Sequence, residues 1–321
     1  MAEPRKTGAG RSCFATFEAA QERLPFGDPG SHPAGIPSIM SATAASLVAK
    51  RAAAGNRSAQ RRRFARWRPP VAVAAVVLGL VGGQALALAV VLASGDGVDD
   101  VGIANGVGLL LGDAVLLAVV LAFARRGARL GAATLGIRRT RFWPALGWSC
   151  AIFLGTIAAE GLWTLLVGGG GERAAQHGAE PSALAVALIL LGVAVAAPIA
   201  EEIAFRGYPF AALTTWRGPW IAALITAALF GAAHVAAAPP KMLPALAFFG
   251  FGACMLFWFT GSLLPCVAVH AFNNALVLGG LAGWSWQIPL LLIGAVGLSL
   301  AVLLPFAGER VPLSPRPREA T

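Results

Sequence analysis

Two adjacent carboxylates, Glu201 and Glu202, stand in "EEIAFRG" at the end of a long apolar run. Successive helical residues turn by about 100°, so Glu202 and Arg206 at i, i+4 share a face in the favourable Glu-before-Arg order. That pairing offsets the cost of burying the second carboxylate. Glu201 is turned away from the pair, free to face a cavity. In "FGAAHV" Phe230 and His234 are again i, i+4, and in "HAFNNA" His270 and Asn274 stack the same way, with Asn273 beside them able to swap roles. Three apolar segments thus supply a carboxylate, an imidazole, and an imidazole with an amide.

The elements that must position these groups are membrane helices. The 321 residues are 57% hydrophobic and 12% charged, with mean hydropathy +0.71, outside the range of soluble domains. The expected fold is all-α, a polytopic membrane helix bundle of about eight transmembrane helices, each near the roughly 20 residues that cross a hydrocarbon core. The spans are expected at Val71–Ser94, Val101–Ala124, Phe142–Gly168, Leu184–Phe205, Ala211–Ala236, Leu243–Thr260, Ser262–Gly280 and Gln287–Phe306. Residues 71–306 then form the membrane domain, with residues 184–280 as its catalytic core. Residues 1–70 read as a disordered basic cytoplasmic leader ending in "RRRFARWRPP", and residues 307–321 as a cytoplasmic tail. Met40 is an alternative start, and the first membrane helix serves as an uncleaved signal.

Charge sets orientation. The segment Arg125 to Arg141 holds six arginines and no acid, whereas "GDGVDD" after the first span holds three aspartates and no base. The positive-inside rule therefore puts the leader, that segment, Arg206 with Arg217, and the Arg310 to Arg318 tail on the cytoplasmic side, with both termini inside. The net charge of +10 reads as topology and attraction to anionic membrane lipids, not nucleic-acid binding. Four cysteines without a CxxC pair predict neither a disulfide nor a thiolate metal site. "GGGG" at Gly168 to Gly171 reads as an external linker.

Each centrally placed charge costs about 2.5–3.5 kcal/mol on insertion scales, so an ionisable residue inside a span is read as functional by default. Besides the residues above, Asp113 and Glu160 qualify, and they read as packing or cavity-lining groups. A simple residue count puts His234 toward the outer half of its span, at a depth unmatched to Glu201 and His270.

"EEIAFR", "FGAAH" and "HAFNN", complete and in order, resemble the CPBP group of intramembrane proteases, which includes Rce1-like CAAX prenyl endopeptidases and bacteriocin-processing relatives. The resemblance covers roughly Leu184 to Gly280. It implies an endopeptidase that hydrolyses peptide bonds of membrane-associated or lipidated substrates near the cytoplasmic face of the cell membrane. By this resemblance Glu201 activates a water that His234 helps to hold, Glu202 with Arg206 orients the motif helix, and His270 with Asn274 stabilises the oxyanion. Such chemistry needs a buried base with a pKa near neutrality and donors preorganised where charge develops. The family is commonly called a metalloprotease, and Glu201, His234 and His270 form a His2Glu set that would suit a zinc. No HExxH accompanies them, and a metal-free water-activating glutamate is the preferred reading. Presenilin-type, rhomboid-type and site-2-type proteases lack their motifs here. The rival reading is a proton-coupled transporter, relaying through Glu201, Asp113 and Glu160, or a non-catalytic membrane scaffold. A transporter should depend on Asp113 or Glu160 and tolerate loss of Asn274, and the protease should do the reverse. The substrate is expected to be a peptide or membrane protein undergoing maturation.

Overall fold

The computed structural model describes residues 67–95, 97, 101–168 and 181–309. Most of the leader, the aspartates of "GDGVDD", most of the "GGGG" linker, and the tail from residue 310 lie outside the described residues. The described chain is helical, without a β-strand; one isolated bridge joins Arg138 to Gly308. Among the described residues, seven helices are long and apolar enough to cross a membrane: α1 (Pro69–Ser94), α2 (Ile103–Gly127), α3 (Phe142–Val167), α4 (Ala183–Arg217), α6 (Pro240–Thr260, opening with one 3₁₀ turn), α7 (Leu263–Leu281) and α8 (Gln287–Phe306, closing with another). The protein is a multi-pass membrane protein built as an all-α bundle.

The remaining helix, α5 (Pro219–Ala233), spans 15 residues. At 1.5 Å per residue it is roughly 22 Å long, short of a hydrocarbon core of about 30 Å. Here the structure corrects two expected boundaries. Span four does not stop at Phe205: the helix runs on to Arg217, about 52 Å in all. The residues expected to open span five, Ala211 onward, belong to this extension. The break comes at Gly218–Pro219, where Gly218 adopts φ 86°, a left-handed conformation open to glycine, and Pro219 starts the next helix with its fixed φ. Trp216 and Trp220 flank the break as exposed side chains, and Arg217 stacks over Trp216 at 4.5 Å, a pairing suited to a membrane interface.

Prolines explain how α4 stays continuous over such a length. Pro198 and Pro209 lack an N–H and crowd the carbonyl four residues back. The helix accommodates them by widening into π segments at Gly192–Ala196 and Glu202–Phe210.

The helix pairs α1–α2, α5–α6 and α7–α8 pack most extensively, and α3 leans on α6. Small residues let α1 and α2 approach closely. A methyl group on Gly83 would lie 2.6 Å from the Gly112 backbone oxygen, inside van der Waals contact. Gly83→Ala is therefore expected to cost about 1–3 kcal/mol through forced separation of the two helices. Gly147, with open space around it, is the control: thermal unfolding in detergent should drop for Gly83→Ala and stay near wild type for Gly147→Ala.

Around the bundle, large apolar side chains such as Trp143, Leu165, Leu166 and Ile293 are exposed, as a lipid-facing surface requires. The polar end is capped by segments expected to be leader, loop and tail. Trp67 is buried, donates its indole N–H to the Ala124 carbonyl at 3.0 Å and packs edge-on against Tyr208. Residues 131–138 fold onto the bundle: Leu135 and Ile137 are buried, and the Gly136 carbonyl accepts from the Leu263 N–H at 2.8 Å. Gly308 joins this edge by backbone bonds, accepting from the Arg139 N–H and donating to the Ile137 carbonyl. The membrane body thus begins before Val71 and extends past Phe306.

Candidate active site

The α4–α5 hairpin sets the heights of the two candidate groups that a simple residue count leaves unmatched. From Arg217 back to Glu201 is roughly 24 Å along α4, and from Pro219 forward to His234 roughly 22 Å along α5. Because the arms fold back on each other at Gly218, the carboxylate and the imidazole arrive at one level. The later end of α4 and the later start of α5 remove the expected depth mismatch.

Glu202 and Arg206 face inward, fully buried, on the second π segment of α4. Glu202 Oε1 accepts from Arg206 Nη1 at 3.0 Å and from His270 Nδ1 at 2.8 Å. Arg206 Nη2 donates to the Gly250 carbonyl of α6 at 3.1 Å, and its guanidinium lies 4.6 Å from the centre of the Phe230 ring. One carboxylate and one guanidinium thereby tie α4, α5, α6 and α7 together, and each charge is compensated where water is excluded.

His270 is buried beside this pair, against the rings of Phe230 and Phe249. Since a carboxylate only accepts, Nδ1 carries the proton of the bond to Glu202. Nε2 points toward Glu201, 3.9 Å from Oε2, and Glu201 Oε2 is buried without a hydrogen-bond partner among the described residues.

His234 and Asn274 are each fixed by a carbonyl that a helix has released. At the end of α5 the His234 backbone N–H turns back to Gly231 and Ala232. That leaves the Phe230 carbonyl, which accepts from the His234 ring at Nδ1, 2.8 Å away. The neutral ring then presents Nε2 as an acceptor. In α4 the Ala197 N–H bonds to Gly192, five residues back, and Pro198 has no N–H to offer. The Val193 carbonyl, orphaned within its own helix, accepts instead from Asn274 Nδ2 at 2.9 Å. One amide hydrogen of Asn274 remains beyond that bond.

Glu201, His234 and Asn274 line one cavity of about 260 Å³, together with Asp113 and Gln84 and an apolar wall that includes Leu80, Leu109 and Leu116. His270 is not among the residues lining it. The expected pairing of His270 with Asn274 is thus divided: the amide faces the cavity, and the imidazole sits behind the carboxylates. Asn273 and Glu160 do not line the cavity either, so a relay through Glu201, Asp113 and Glu160 has no common chamber. Of the two readings open for Asp113, packing or cavity-lining, the structure selects the second. Gln84 has no counterpart among the expected site residues, because a single amide in an apolar helix carries no motif.

The same geometry decides whether the His2Glu set suits a zinc. Among the described residues no three His, Cys, Asp or Glu side chains converge as a metal site requires. His270 Nδ1 is bonded to Glu202 and His234 Nδ1 to Phe230, which leaves each ring its Nε2, but His234 faces the cavity and His270 does not line it. Glu201, His234 and His270 as placed do not fit a shared zinc, and no step is routed through one. Cys254 and Cys266 are buried as free thiols, Cys150 is an exposed free thiol, and Cys13 lies outside the described residues.

Residues 183–276 match the family model described as type II CAAX prenyl endopeptidase Rce1-like. The match opens with the first residue of α4, closes within α7, and contains every residue of the three motifs. No curated protein and no solved structure matches the chain.

Proposed function

We propose that this chain, a CAAX-type peptidase of the CPBP group by its Rce1-like segment, hydrolyses peptide bonds of membrane-associated or lipidated peptides through a water activated by Glu201. The observation that carries this reading is the meeting of Glu201, His234 and Asn274 at one cavity, backed by a Glu202 that is fully buried between Arg206 and His270. Glu201 takes a proton from the water as its oxygen attacks the scissile carbonyl. His234 Nε2 accepts the water's other hydrogen and aims its lone pair. The remaining amide hydrogen of Asn274 meets the oxyanion. Glu201 then returns the proton to the leaving nitrogen as the C–N bond breaks. His270, held through Glu202, positions Glu201 from behind.

The mechanism proceeds without a metal, so thorough chelation should leave peptidase activity in detergent unchanged. The arginine distribution supports a chain with both termini inside. Asn274→Ala should lower kcat by about 10²–10³-fold, the loss expected for an oxyanion donor, and Glu160→Gln should leave it near wild type. A transporter would show the reverse pattern, and a scaffold would be indifferent to both. The deciding experiment compares peptides and new N-termini from cells carrying wild type or Glu201→Gln at matched expression. Products that vanish with Glu201→Gln identify substrates; identical profiles from two folded proteins would refute the reading.

A further inference from the structure

The cavity carries a second carboxylate that the proposed hydrolysis does not use. Asp113 of α2 lines the same cavity as Glu201 of α4. Its carboxyl makes no hydrogen bond or ion pair with any described residue, unlike Glu202. The other polar side chains lining the cavity are Gln84, Glu201, His234 and Asn274, and no lysine or arginine is among them. Arg206, the nearest guanidinium in the motif, is fully buried and committed to Glu202 and the Gly250 carbonyl.

A carboxylate held in an apolar chamber without a protein partner is costly, and a ligand bearing the opposite charge relieves that cost. We propose that Asp113 is a specificity-determining residue that receives the ammonium or guanidinium of a lysine or arginine next to the scissile bond. The adjacency follows from Asp113 sharing the chamber with Glu201, which must stand beside the scissile carbonyl. This inference rests on the peptidase reading above.

The test uses two otherwise identical fluorogenic peptides, one with lysine and one with norleucine beside the cleavage site, and the full chain in detergent. Wild type should favour the lysine peptide in kcat/KM by about tenfold to a hundredfold, the worth of a charge-assisted hydrogen bond, with the difference in KM. Asp113→Asn should bring that ratio to near unity, and Asp113→Glu should restore it. No preference in wild type, or a preference that survives in Asp113→Asn, overturns the proposal. Should wild type cleave neither peptide, the peptidase reading loses ground, and equilibrium binding of the same peptides decides this one. Tighter binding of the lysine peptide that Asp113→Asn abolishes supports it, and equal binding overturns it.

Discussion

Arg206→Ala is expected to lower stability by about 3–5 kcal/mol, because it leaves the fully buried Glu202 carboxylate without its cation. The same change removes the bond to the Gly250 carbonyl and the guanidinium over Phe230. Loss of a tie between four helices should show as a large drop in thermal unfolding temperature in detergent and as poor recovery from membranes. Arg206→Lys separates charge from shape: an ammonium keeps the charge and gives up the fork that reaches Glu202 and Gly250 together. It should recover part of the stability and little of the activity. A double variant, Arg206→Leu with Glu202→Leu, should be more stable than Arg206→Ala, since removing both charges of a buried pair is tolerated better than removing one. Equal stability of the single and double variants would show that Glu202 does not depend on Arg206.

His234→Ala is expected to act on the reaction with little effect on the fold. The ring is half-buried at a helix end, and its one protein hydrogen bond, to the Phe230 carbonyl, contributes about 0.5–1.5 kcal/mol. Its loss from the water-holding position should lower kcat by about 10²–10⁴-fold. KM should change far less, because most of the cavity's apolar wall comes from α1, α2 and α4. His234→Gln, which offers an acceptor oxygen near the former Nε2, should retain more activity than His234→Ala. If both variants bind and turn over substrate like wild type, His234 serves only to cap α5.

Residue types and spacing make much of the site legible from the amino-acid sequence alone. The i, i+4 geometry of Glu202 with Arg206 needs one helix and no tertiary knowledge, and the buried pair is where that spacing predicts. The limits of the helices are harder to read. A run of apolar residues from Ala183 to Ala233 contains more than one helix and less than two full spans, and hydropathy does not mark where it turns. The Gly218–Pro219 step does mark it, by chain chemistry instead of polarity. Role assignment fails where it depends on which helix releases a carbonyl. The bond from Asn274 to Val193 follows from the missing N–H of Pro198, a relation across two helices that no spacing within α7 contains. Asp113 is visible as a costly residue, but its chamber is made by α1, α2, α4, α5 and α7 together.

The hairpin of α4 and α5 makes Gly218 the zero mark of a two-armed ruler. Deleting one residue from either arm between that mark and the site shifts its reactive group by about 1.5 Å and swings it by about 100°. Single-residue length changes there are therefore closed to this chain in evolution unless both arms change together by about a whole turn. Among homologous sequences, the interval from the glutamate pair to the first motif histidine should be nearly constant in length, and insertions should gather outside it.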